Sequence, residues 1–237
     1  MANSFFEFKE FTIFQDKAAF KVTTDACILG AYVNSLNPGF ICDIGTGTGV
    51  IALMLAQRFT DAKIDAVEID NLSAKQAQEN VDSSPWTSRI SVINENIQDF
   101  SDNAKRKYSL LVCNPPYYED FLKSKDQRNN LTKHNIKISI KDLARSINDL
   151  LIDHGQFYTI LPPFSFNKLQ SELEIYDIRI FDKLDIYSKL EKPLYRNIGG
   201  FSREPTVMIK NTIYISDENG DYSEGLKKLL KDYYLAF

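Results

Sequence analysis

The chain has 237 residues, enough for one domain with a sizeable core and no need of covalent staples. Its 43% apolar and 25% charged residues exclude a disordered chain. Lys plus Arg (28) against Asp plus Glu (32) leaves a formal net charge of −4, which excludes a protein that holds nucleic acid by bulk charge alone.

Residues 1–10 lack the basic and apolar regions of a secretory leader. The longest apolar run, 50–56, is far short of the roughly 20 residues a membrane span needs. Cys27, Cys42 and Cys113 are odd in number, lie among apolar residues and form no C-x-x-C, with only His134 and His154 as further soft ligands. A cytoplasmic protein with reduced thiols, no metal and no membrane attachment is expected.

In chain order, residues 1–39 read as an N-terminal extension carrying Phe5, Phe6, Phe8, Phe11, Phe14 and Phe20. From residue 40 a strand–turn–helix theme repeats. Strands are predicted at 40–44, 63–69, 90–93, 110–113 and 156–161, and helices at 50–59, 71–81 (Asn71 as N-cap) and 140–152. This alternation implies a parallel, doubly wound sheet with right-handed crossovers. After Pro162-Pro163 comes a helix at 165–173, a long β segment at 177–187, a loop at 188–204 and a strand at 206–215. With no helical pattern between them, the last two β segments are expected to pair antiparallel at the sheet edge. The domain proper is therefore 40–237.

Asp43-Ile44-Gly45-Thr46-Gly47-Thr48-Gly49 lies between the first of these strands and its helix. Glycines here permit positive φ and close approach of a ligand to the backbone. Val50 breaks the G-x-G-x-x-G/A dinucleotide fingerprint, which counts out a nicotinamide oxidoreductase, and no Gly-Lys-Ser/Thr completes a P-loop. Asp43 suits a cationic ligand group better than a pyrophosphate, and Glu68, ending the second strand, is placed to accept from a ribose diol. S-adenosylmethionine meets these demands without phosphates. Asn96 and Ile97, after the third strand, are candidate adenine contacts.

Asn114-Pro115-Pro116-Tyr117 follows the fourth strand at the carboxyl edge of the sheet. Two prolines stiffen the loop and remove backbone donors, leaving carbonyls as acceptors. The Asn114 side-chain oxygen and the Pro115 carbonyl then grip both hydrogens of an NH₂ group. Such a grip favours pyramidalisation of a conjugated nitrogen and stabilises the positive charge it develops on attack. Tyr117 is positioned to stack on a planar substrate.

With these motifs the sequence resembles class I S-adenosylmethionine-dependent methyltransferases. Within them it is most similar to the bacterial tRNA-valine adenine-37 N6-methyltransferase family. The likeness runs through Phe20-Lys21-Val22-Thr23-Thr24-Asp25, Leu29-Gly30-Ala31, Leu53 to Arg58, Ile64 to Glu68, Ala77-Gln78-Glu79-Asn80, Ser84-Pro85-Trp86 with Arg89-Ile90, and Tyr222-Ser223-Glu224. The resemblance implies a Rossmann-like, mostly parallel seven-stranded sheet with an antiparallel edge pair. It also implies methyl transfer to adenine N6 in the anticodon loop of a valine tRNA, by a protein expected to be monomeric. Asp43, Gly45, Thr46, Gly47, Gly49, Glu68, Ile69, Asn96, Ile97, Asn114, Thr24 and Asp25 would be cofactor contacts. The extension 1–39 would complete the site, and Asn114, Pro115, Pro116 and Tyr117 would be the reaction loop. Many relatives carry aspartate where Asn96 stands and glycine where Thr23 stands, so a weakened cofactor preference is the most these departures imply.

An N5-glutamine methyltransferase acting on a release factor, or another RNA amino-group methyltransferase, would use the same reaction loop, since an amide NH₂ fits it equally well. An RNA-binding scaffold with a degenerate site is disfavoured by the intact motifs. Residues 121–145 carry seven Lys/Arg (among them Lys123, Lys125, Arg128 and Lys133) against two Asp, and 183–203 carry five against two acids. Either stretch is a phosphate-binding patch or simply a solvated face.

Overall fold

The computed structural model describes residues 3–116, 138–204 and 207–237. Their elements are, in order, β1 (Phe5–Glu7), β2 (Thr12–Phe14), α1 (Thr24–Tyr32), β3 (Phe40–Ile44), α2 (Val50–Arg58), β4 (Lys63–Glu68), α3 (Asn71–Asp82), β5 (Ile90–Asn94), α4 (Ile97–Asp102), β6 (Tyr108–Cys113), α5 (Ile140–Leu150), β7 (Leu151–Leu161), α6 (Pro163–Glu174), β8 (Arg179–Tyr187), β9 (Leu194–Ser202), β10 (Ile209–Tyr214) and α7 (Glu224–Leu230).

One eight-stranded sheet, in the order β10-β8-β9-β7-β6-β3-β4-β5, forms the centre, and β1-β2 is a separate hairpin. Strands β3 to β7 are mutually parallel, while β9 runs antiparallel to both neighbours. The expected count of seven is corrected to eight. The antiparallel edge pair is present, but its members are β8 and β9. The segment expected to be a loop at 188–204 supplies β9, and β10 lies parallel to β8 rather than antiparallel to it.

Side-chain alternation sends successive residues to opposite faces. On β3, Ile41 joins one core and Cys42 and Ile44 the other; on β6, Leu110 and Val112 join the first and Leu111 and Cys113 the second. Helices α1, α2 and α7 and the hairpin aromatics pack on the first face, and α5 and α6 on the second. Cys27, Cys42 and Cys113 are buried and free.

Register sets the ends of four strands level. Ile44 stands beside Val67 and Cys113, and Glu68 beside Asn94. The chain turns from edge strand β5 back to β6 on the far side of β3. The crevice between β3 and β6 is therefore the switch point at which open α/β sheets take ligands. No helix among the described residues is long and apolar enough to cross a membrane.

Candidate active site

Above these level strand ends lies a cavity of about 390 Å³, within the usual range of roughly 300–1,000 Å³ for small-ligand sites. The turn from β3 to α2 forms its floor. Gly45, Gly47 and Gly49 adopt φ of +71°, +58° and +85°, a region costly for any residue with a Cβ. The Gly45 and Thr46 N–H groups donate to Val67 O at 2.8 and 3.0 Å, which fastens the turn to β4. At Gly45 and Gly47 the space a Cβ would occupy is open, whereas at Gly49 it meets Ala77 of α3 at 3.5 Å. Gly45, Thr46 and Gly47 line the cavity; Gly49 serves instead as the left-handed start of α2.

Glu68 lines the wall at the end of β4. Its Oε2 accepts from Gly47 N–H and its Oε1 from Asp70 N–H, each at 2.8 Å, so the carboxylate is aimed by two backbone donors. Each oxygen keeps a second lone pair for a hydroxyl donor. Burial raises its pKa despite these bonds. Asp43 is fully buried and lies behind the lining. Its Oδ2 accepts from Thr46 Oγ1 at 2.5 Å and from Ala52 N–H at 3.1 Å, while its Oδ1 has no partner among the described residues. Burial pushes the Asp43 carboxyl up to about 7.

Ile69, Asn96 and Ile97 line the end of the cavity beyond Glu68. The Asn96 side-chain oxygen accepts from Gln98 N–H at 3.0 Å and so caps α4, a duty an aspartate performs equally well. Asn114, Pro115 and Pro116 form the wall leading from β6. Asp25 joins from α1, where Arg196 Nε of β9 donates to its Oδ2 at 2.9 Å. Thr24 is outside the lining, although its neighbours Thr23 and Asp25 belong to it. Tyr117, Lys123, Lys125, Arg128 and Lys133 lie outside the described residues.

Several lining residues were not singled out as ligand contacts from sequence. Ala19, Phe20 and Lys21 come from the N-terminal extension, Asp70 and Ser73 from the start of α3, and Glu95 and Gln98 flank Asn96. The exposed Phe20 was legible as one of the N-terminal aromatics, but nothing in its spacing pointed to a ligand. Among the described residues, four carboxylates (Asp25, Glu68, Asp70 and Glu95) line the cavity against one ammonium, Lys21, with Asp25 also paired to Arg196. Such a lining repels polyphosphates and favours hydroxyls and positive charge. It fits a nucleoside cofactor bearing a sulfonium and an ammonium, with Asp43 acting from behind the lining through Thr46.

The methyltransferase small domain family matches residues 25–149. Over 236 residues and 99% of each chain, the protein is 37% identical to a tRNA1(Val) (adenine(37)-N6)-methyltransferase of Bacteroides thetaiotaomicron. A Trichodesmium erythraeum protein of the same description is 38% identical over 239 residues, covering 100% of both chains. The chain belongs to this methyltransferase family. Among solved structures, a predicted O-methyltransferase from Agrobacterium tumefaciens superposes with a TM-score of 0.69 at 14% identity, covering 88% of this chain and 96% of that one. A ribosomal protein L11 methylase from Lactobacillus delbrueckii gives 0.56 at 19% identity, with coverage of 80% and 83%. Both likenesses concern the fold.

For a methyltransferase of this family the second basic stretch takes on a different meaning. Arg196 is tied to Asp25, and Arg203 donates to Asn148 Oδ1 at 2.7 Å and to neighbouring backbone carbonyls. Lys189 Nζ donates to Glu218 O at 2.6 Å, and Lys183 lies 3.6 Å from Asp185. Four of the five cations in 183–203 thus have partners within the fold.

Proposed function

We propose that this enzyme transfers a methyl group from S-adenosylmethionine to the exocyclic N6 of adenine 37 in a valine tRNA. The observation that carries this reading is the meeting of an acid-lined cavity and the Asn114-Pro115-Pro116 loop at one wall. Glu68 takes the ribose hydroxyls, Ile69, Asn96 and Ile97 flank the adenine, and the glycine turn lets the cofactor approach the backbone. When bound, the cofactor supplies an activated methyl on a sulfonium centre. Asn114 Oδ1 and the Pro115 carbonyl accept the two N–H bonds of the substrate amine. They hold its nitrogen in line and stabilise positive charge as it develops, with no base needed before attack and one N–H proton lost to water once the methyl has left the sulfur. An unpaired anticodon-loop adenine has a smaller extrusion cost than a duplex base, which suits a site reached by flipping.

Labelled S-adenosylmethionine incubated with valine tRNA transcripts, followed by nucleoside mass spectrometry, tests the reading. N6-methyladenosine should form on the native transcript and be absent from one carrying guanine at position 37. Label confined to a release-factor glutamine would overturn it.

A further inference from the structure

Helix α3 buries a polar stripe. Ser73, Gln76 and Asn80 are 3%, 1% and 1% exposed, at spacings that place them on one helical face. Buried polar groups must be paired, and here the partners are chiefly the backbone of the N-terminal extension between Phe14 and Ala19. Ala19 N–H donates to Ser73 Oγ at 3.1 Å and Lys17 N–H to Gln76 Oε1 at 3.0 Å. Phe14 N–H donates to Asn80 Oδ1 at 2.9 Å, and Asn80 Nδ2 returns a bond to Phe14 O at 2.9 Å. The second Nδ2 hydrogen goes elsewhere, to Thr48 O in the glycine turn, also at 2.9 Å.

Asn80 therefore joins three segments: α3, the extension that supplies Ala19, Phe20 and Lys21 to one wall of the cavity, and the turn that forms its floor. Only a side-chain amide accepts once and donates twice from one short stem. A carboxylate would leave both carbonyls unpaired, and an apolar side chain would leave all three groups so. We infer that Asn80 is a positioning residue for cofactor binding, setting the distance between the N-terminal strap and the glycine turn. This rests on the reading of the cavity as the S-adenosylmethionine site.

The test compares Asn80→Asp, Asn80→Ser and Phe11→Leu. Phe11 stacks on Phe8 with ring centroids 4.4 Å apart and meets Trp86 edge-on, so its truncation loosens the base of the extension without touching the glycine turn. Calorimetry with S-adenosylmethionine, melting temperature and kcat at saturating cofactor are read for each. Asn80→Asp should raise the cofactor Kd at least tenfold and Asn80→Ser by less, with kcat at saturation within about twofold of the parent. Phe11→Leu should lower the melting temperature while leaving Kd within about twofold. A Kd unchanged in both Asn80 variants, or raised as much by Phe11→Leu, overturns the inference. If Asn80→Asp does not fold, Asn80→Ser alone decides between these outcomes. Failure of the parent protein to bind S-adenosylmethionine would instead overturn the assignment of the cavity.

Discussion

Replacing Asp43 by Asn should stabilise the cofactor-free protein, and by an amount that grows with pH. The carboxyl is wholly buried, and burial carries it from 3.8 to about 7. The folded state then holds a proton that the unfolded chain has released over that interval, so folding stability falls as pH rises from about 4 to about 7 and levels off above. Asn is neutral throughout, keeps an acceptor for Ala52 N–H, and carries no such dependence. Between pH 5 and pH 8 the interval still to be titrated is about two pH units, or about 3 kcal/mol at 1.36 kcal/mol per unit. For a domain of this size that is a gap of roughly 6–12 °C in Tm opening between the two proteins. Thermal melts of both, without cofactor, across pH 5 to 8 measure it, and the difference cancels every other titrating group. Parallel curves would refute the claim that Asp43 is held against its ionisation by burial.

Asn114→Ala should abolish methyl transfer while leaving the S-adenosylmethionine Kd within a few-fold, checked by single-turnover assay and calorimetry. Arg196→Met removes the guanidinium that donates to Asp25 Oδ2 and should cost about 1.5–3 kcal/mol in urea unfolding, whereas the double change Asp25→Asn/Arg196→Met should cost less than the sum of the two single changes. Lys123→Ala, Lys125→Ala and Lys133→Ala should each raise the tRNA KM and flatten the slope of log affinity against log salt by roughly 0.7–0.9, with cofactor binding unchanged. Filter binding across a salt series reads the slope, and unaltered slopes would remove this stretch from the RNA interface.

Strands β3 and β6 were legible because parallel strands covered on both faces read as short apolar runs, and β4 because Ile64 and Ala66 alternate with Lys63 and Asp65. Their loops were legible because Gly45, Gly47 and Gly49 need conformations that leave a glycine signature. Helix α1 was not visible, because Asp25 through Ala31 are all buried and a helix enclosed on every side has no amphipathic period. Strand β9 was hidden by Pro193, Gly199 and Gly200, which read as turn residues. The glycines are there for room: a Cβ at Gly199 would lie 2.7 Å from the Phe166 ring, and one at Gly200 would lie 2.8 Å from Tyr158. Strand β7 starts at Leu151, inside the segment expected to finish the preceding helix, and meets β6 through an irregular register. The cap of α3 is Asp70 rather than Asn71: its Oδ2 accepts from Ser73 N–H at 2.8 Å. In the site, the resemblance implied that the extension completes it, but nothing in the spacing singled out residues 19–21 as the part that does. What brings them to the cavity is the polar stripe of α3, about 55 residues later in the chain.

The net charge of −4 looked awkward for an enzyme acting on RNA, and the fold shows why it is not decisive. Carboxylates concentrate where the cofactor is expected, with four in the cavity lining. In 183–203 most cations have partners within the fold: Arg196 meets a carboxylate that lines the cavity, and Arg203 holds the end of α5 and the start of β7 through backbone and Asn148 contacts. Residues 121–145 differ in kind. Pro116 and Ile138, the described residues on either side of 117–137, both line the cavity. Chain connectivity therefore ties both ends of 117–137 to the cavity wall. Of the seven cations in 121–145, Arg145 is paired with Asp102 at 2.6 Å, and Lys123, Lys125, Arg128, Lys133 and Lys137 fall between the two anchored ends. We propose that these cations meet the phosphates flanking an inserted base, so that electrostatic attraction and chemistry are joined by chain connectivity.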